Sequence, residues 1–178
     1  MNYFVVPDRW QISESAFRLS MAEMAIDGAY GREGVAMWLG MHEQGTAIVS
    51  HVAVLRGRGV LKARDQLHIS SDLLNELTDK AIEIGITLLG QIHSHGPMHG
   101  TSLSVTDKRY GIAVPGYLSA VAPSYATNPA TTLADCGVHL FEQPSGWRRL
   151  SADEVAKRID VSNAVPIQSF VVGSYGRE

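Results

Sequence analysis

Between Ser13 and Ala29 the apolar residues Phe17, Met21, Met24, Ala25 and Ile26 fall close to a helical repeat, with Ser13 placed to cap the first turn. Val35-Ala-Met-Trp-Leu39, closed by Gly40, is short and wholly apolar and predicts a buried strand. Thr46–Leu55 predicts a second strand after the turn at Gln44-Gly45. Val54–Lys62, with Arg56, Arg58, Lys62 and two glycines, predicts an exposed loop or hairpin. Ser70 or Ser71 caps a second helix carrying Leu73, Leu74, Leu77, Ala81, Ile82 and Ile84 on one side and ended by Gly85. Ile86–Ile92 predicts a third strand that leads straight into His93-Ser-His95, and a short helix is expected to start near Ser104. Tyr117–Ala122 and Gly137–Phe141 predict further strands, and Pro144-Ser-Gly146 a turn before Trp147. Ser151-x-x-Glu154 is a capping-box pattern ahead of a helix at Val155–Ile159, and Phe170-Val-Val is a segment that can pair or dock. Strands and helices in this mixed order predict an α/β or α+β fold around one sheet.

Composition narrows the class. A chain of 178 residues with 45% hydrophobic and 19% charged residues and a mean hydropathy of −0.01 can build a core without disulfides or metal, so one domain over 1–178 is expected. Fifteen basic against eighteen acidic residues give a net charge of −3, which offers a polyanion no field; neither nucleic acid nor membrane is an expected partner. Cys136 is the single cysteine and reads as a small strand-end hydrophobe, which fits a reducing compartment. No secretory pattern opens the sequence, and the apolar runs fall short of the ~20 residues that span a bilayer, so a cytoplasmic location is expected.

Candidate chemistry gathers in one place. Of seven histidines, His42, His51, His68 and His139 read as satisfied or solvated imidazoles. His93 and His95, two apart on a strand, point to one face and can converge on one metal ion. A third ligand is needed, and Asp107 is the candidate: the loop Gly96–Leu103 is long enough to turn back and set it in a first helical turn, with Ser104 beside the metal.

His93-Ser-His95 followed by Ser104-x-x-Asp107 resembles the signature of the JAMM (MPN+) zinc metalloproteases, and Glu33-Gly-Val-Ala-Met-Trp-Leu-Gly40 resembles the upstream glutamate segment of the same family. The likeness runs from about Ser13 to Phe141. One feature departs from the pattern: eight residues, not seven, separate His95 from Ser104, and the proline is displaced to Pro97. A one-residue insertion in a loop has a small entropic cost and keeps the Ser–Asp spacing. The resemblance implies a cytidine deaminase-like mixed sheet flanked by helices, one Zn²⁺ held by His93, His95 and Asp107, Glu33 as general base, and Ser104 as hydrogen-bond donor to the oxyanion. Glu43 is the other upstream acid, but it lies past Gly40. His99 reads as a polar loop residue or a contact to substrate, Trp38 as core and Trp147 as hairpin packing.

What the resemblance implies about substrate is a prokaryotic isopeptidase that cleaves after the C-terminal glycine of a ubiquitin-like protein, of the sort that accompanies bacterial ubiquitin-like conjugation and antiphage defence with E1- and E2-like proteins. The Arg56, Arg58 and Arg64 stretch offers a basic rim for such a partner. Two other classes remain: processing of a sulfur-carrier protein in cofactor biosynthesis, and a metal-free MPN-type scaffold.

Overall fold

The computed structural model describes residues 6–173. Strand β1 (Arg9–Ser13) runs directly into helix α1 (Glu14–Gly28), and Ser13 Oγ accepts the Ala16 amide at 2.9 Å as the anticipated cap. Next come β2 (Val35–Glu43) and β3 (Thr46–Leu55), an antiparallel pair joined by the Gln44-Gly45 turn, and a small hairpin of β4 (Val60–Lys62) and β5 (Leu67–Ile69). Helix α2 (Ser71–Ile84), capped by Ser70 and closed by Gly85, leads into β6 (Thr87–Ser94). The rest of the chain forms α3 (Val105–Tyr110), β7 (Leu118–Ala122), β8 (Gly137–Glu142), β9 (Gly146–Arg149), α4 (Ala152–Arg158), β10 (Ile159–Ser162) and β11 (Gln168–Val172).

Nine strands make one mixed sheet in the order β10-β1-β3-β2-β6-β7-β8-β9, with β11 pairing the second half of β3 beyond the end of β1. The pairs β1/β10, β1/β3, β3/β11 and β6/β7 are parallel and the others antiparallel. The architecture is a mixed α+β sheet flanked by helices. Alternate residues of β2 feed two apolar layers, which explains its unbroken hydrophobicity. Ala36 and Trp38 join Trp10, Phe17, Met24, Ile92 and Leu140 under α1, whereas Val35, Met37 and Leu39 join Leu55, Leu73 and Leu77 under α2.

Four details differ from the sequence reading. The last helix starts at Ala152 and stops at Arg158, so that Ile159, expected to be helical, opens β10 instead. Strands β1 and β10 are absent from that reading; each alternates polar and apolar residues over only five and four positions, and they form by pairing with each other and, for β1, with β3. Ile82 and Ile84 face solvent, 71% and 39% exposed, because the apolar stripe of α2 narrows to Leu73, Leu77 and Ala81. The Val54–Lys62 segment is only in part an exposed loop, since Val54 and Leu55 are buried residues of β3. No helix among the described residues is long and apolar enough to cross a membrane.

Trp38 is core as expected, 1% exposed, and its indole N–H donates to Ser20 Oγ at 3.0 Å. Ser20→Ala strands that N–H in the apolar layer and is expected to lower stability by about 1–3 kcal/mol. Urea unfolding measures it, and an unchanged midpoint would mean that the indole finds another acceptor.

Candidate metal centre

The antiparallel pairing of β2 with β6 sets Val35 opposite His93. The pairing continues past the strand ends, where Ser94 N donates to Gly34 O at 3.0 Å and Gly34 N to Ser94 Oγ at 2.9 Å. The same register therefore sets Glu33 opposite His95, and residues directly opposite share a face. On the other side of β6, His93 lies beside Val121, and the His95 amide extends the parallel ladder by donating to Ala122 O at 2.9 Å. His93 is fully buried, and His95 and Glu33 are each 5% exposed.

The loop after His95 turns back and starts α3, with Ser104 as N-cap. Ser104 and Asp107 form a reciprocal capping box: Asp107 N donates to Ser104 Oγ at 3.0 Å, and Ser104 N donates to Asp107 Oδ2 at 2.7 Å. This locks the carboxylate at the helix start, facing the imidazoles. His93 Nε2 and His95 Nε2 are 3.2 Å apart; Asp107 Oδ2 is 3.2 Å from His95 Nε2 and 3.6 Å from His93 Nε2. Donors that share one tetrahedral ion at about 2.0–2.1 Å sit about 3.3 Å from one another, so all three separations fit a single metal ion. His95 Nδ1 donates to Gly100 O at 2.8 Å, which fixes the ring with Nε2 toward Asp107 and His93. The three groups form the one candidate metal-holding cluster among the described residues.

Burial pushes the Glu33 carboxyl up to about 7, with His95 opposing and Asp107 and Asp65 reinforcing the rise. That is the range a general base needs near neutral pH. Burial also disfavours the Asp107 carboxylate, but hydrogen bonds from His93 and His95 outweigh it and hold that carboxyl far below the usual range, so it stays ionised as a ligand must. Glu33, His93, His95, Ser104 and Asp107 thus come together at one end of the sheet. Glu43 is exposed at the opposite end of β2. His99 lies near the centre, its ring 6.5 Å from that of His95, but it stays outside the donor cluster.

The structure adds residues that the sequence reading passed over. The Thr101–Leu103 stretch lies flat on β8 and β9. Arg149 donates to Thr101 Oγ1 and Ser102 Oγ, both at 2.9 Å, and Leu103 N points at His139 Nε2 at 3.4 Å. Gly137 allows this approach, since a Cβ there would fall 1.7 Å from Thr101 O. Of the two readings, satisfied or solvated, His139 therefore takes the first at Nε2. It is 3% exposed and anchors the loop that carries Asp107. Burial lowers its pKa to about 4, so it is neutral and can accept from Leu103. Its pairing partners across the strands were the missing signal. Cys136 is buried with its thiol pushed up to about 12, as a small hydrophobe should be. Trp147 packs against Phe141 and Tyr117 at the β8–β9 hairpin.

This chain is similar to a metalloprotease. The probable metalloprotease y4jG of Sinorhizobium fredii is 25% identical over 140 residues, spanning 76% of this chain and 83% of that protein. No family model matches the sequence. Two solution structures share the fold at 20% identity: protein DSY2949 of Desulfitobacterium hafniense, with a TM-score of 0.58 over 88% of this chain and 94% of that one, and a protein of Salinibacter ruber, with a TM-score of 0.54 over 88% and 95%. The metalloprotease likeness and the converged donors support a metal cofactor and a peptidase-like, hydrolytic function.

The His139 environment sets a pH dependence. An unfolded histidine titrates at the ordinary value of 6.5 and the folded one at about 4, so the unfolded chain binds the extra proton between those values. This contribution to stability is complete above pH 6.5 and is lost as the pH falls toward 4. His139→Gln should flatten the decline in unfolding midpoint across that window; parallel profiles for the two proteins would contradict the assignment.

Proposed function

We propose that the protein is a JAMM/MPN+-type zinc peptidase that cleaves after the C-terminal glycine of a ubiquitin-like protein. The observation that carries this reading is the meeting of His93, His95 and Asp107 at single-ion distances, with the buried Glu33 carboxyl set across the strands from His95. Two imidazoles and one carboxylate are a donor set that suits Zn²⁺ and leaves a fourth position open. When bound, zinc supplies a Lewis acid for the scissile carbonyl and makes water more acidic at neutral pH.

The chain's own groups do the rest. Glu33 takes a proton from the attacking water and delivers it to the leaving amine; its raised pKa suits both transfers. Ser104 has two tasks. Its oxygen accepts the Asp107 amide and so holds the ligand, while its proton, within reach of the Asp107 carboxylate, turns to the oxyanion when substrate binds. His95 keeps its Nδ1 proton on Gly100 O, which fixes the ring orientation.

The surroundings of Asp107 suit an extended tail. A shallow hollow of about 50 Å³, room for a glycine, lies beside it, walled by Leu67 and Ile69 of β5, Leu74 of α2, and Tyr110 and Ile112. Among the described residues strand β5 pairs with β4 alone, so its outer edge can accept an extended peptide as a third strand. Glycines at the scissile end keep side chains away from the buried ligands. Of the basic stretch, Arg56 is paired with Glu23 at 2.6 Å and Lys62 with Asp27 at 2.7 Å, which leaves Arg58 and Arg64 to meet the folded body of the partner. The sulfur-carrier alternative uses the same site and the same tail chemistry. A scaffold would have no need of three converged donors.

Glu33→Gln is expected to retain zinc and fold but lose about 10²–10⁴ in turnover, because an amide cannot take the proton. Near-normal cleavage by this variant would remove Glu33 from the mechanism. A ubiquitin-like fusion should also be cleaved with a far higher kcat/KM than its isolated tail peptide. Equal values would replace the deconjugase reading with that of a general peptidase.

A further inference from the structure

Immediately after β7, Ser124, Tyr125 and Ala126 have φ values of 52°, 55° and 58°. None is glycine, and a left-handed conformation costs an L-residue roughly 1–2 kcal/mol. Three in succession persist only where the surroundings impose them, and such strain gathers at functional sites. The turn closes through Ala126 N to Pro123 O at 2.9 Å and Thr127 N to Ser124 O at 3.1 Å. Neither bond requires left-handed backbone; the turn lays its backbone on α1 at Gly28, where a Cβ would fall 2.3 Å from Tyr125 O, and sends the Tyr125 side chain toward the metal centre.

Tyr125 touches three segments around the metal centre. Its amide donates to His95 O at 2.7 Å, directly behind a ligand. Its ring crosses Gly96, where a Cβ would sit 2.6 Å from the phenol oxygen, so a larger residue after His95 would push the phenol aside. Its hydroxyl donates to Arg64 O at 3.0 Å, in the turn between β4 and β5. The neighbouring Ala63 O is the acceptor for the Glu33 amide at 2.7 Å. A continuous path therefore runs from the His95 backbone through the Tyr125 side chain to the β4–β5 turn and back to Glu33.

We propose that Tyr125 is a positioning residue, a strut that holds the β4–β5 turn, and through it the Glu33 backbone, at a fixed distance from the His95 end of β6. The strained turn is retained because a relaxed backbone would aim the phenol elsewhere. The strut itself stands on geometry alone; only its effect on turnover rests on the peptidase reading.

Tyr125→Phe tests this in the zinc-loaded full chain, because it deletes the Arg64 contact and leaves the turn, the ring and the His95 bond in place. The expected result is exchange of the Glu33 amide with solvent deuterium about two- to tenfold faster, confined to Glu33 and the β4–β5 turn, with zinc affinity unchanged. On a ubiquitin-like fusion, kcat should fall by a similar factor with KM less affected. Ser124→Gly, which relieves strain without touching the phenol, should raise the thermal midpoint and leave Glu33 exchange as it was. Unchanged Glu33 exchange in Tyr125→Phe overturns the proposal, as does acceleration spread evenly over the molecule. A lower midpoint in Ser124→Gly removes the strain argument. A wild-type protein inert toward every fusion defeats the peptidase reading, and Glu33 exchange still decides the strut.

Discussion

One carboxylate oxygen, Asp107 Oδ2, lies 2.7 Å from the amide of Ser104 and 3.2 and 3.6 Å from the ring nitrogens of His95 and His93. Local helix capping and long-range assembly meet at this atom. The capping box fixes its direction from within α3, and the end of β6 supplies the imidazoles that it faces. Hydrogen bonds from the imidazoles keep Asp107 ionised, and the same separations suit the edges of a ligand set around one ion. The loop, the sheet end and the helix start are arranged so that this oxygen reaches the imidazoles.

The sheet supplies the rigidity that this arrangement needs. Strand β6 is central, flanked by β2 and β7, and both faces around it are packed, one under α1 and one under α2. The imidazoles therefore stand on backbone that has little freedom to move. The loop between them and Asp107 has no such support from its own sequence. It gains it from Arg149, Gly137 and His139 on one side and from Tyr125 on the other. These contacts define where the loop lies and therefore where it delivers Asp107, and a loop held in this way tolerates added length at small entropic cost.

Much of this was legible in the chain. The caps at Ser13 and Ser70, the closed apolar run of β2 and the approach of β6 to His93 are local signals, carried by side chains a few residues apart. The Ser104–Asp107 spacing was legible as a cap, and the cap holds the Asp107 carboxylate against the two imidazoles. What stayed hidden depends on partners distant in sequence. β1 and β10 are strands because each has the other, and β1 also β3, to pair with, and Ile82 looks like core until the width of the packed stripe is known. His139 reads as one more histidine because its relation to Leu103 crosses 36 residues. The left-handed turn at Ser124–Ala126 has no glycine or asparagine to announce it.

Metal content of the purified protein tests the central claim most directly. Elemental analysis should find one zinc per chain in the wild type and none in a variant with His93, His95 and Asp107 all changed to alanine, with both proteins folded because the core does not depend on the ion. Undiminished zinc in the triple variant would contradict the ligand assignment and, with it, the account of the site.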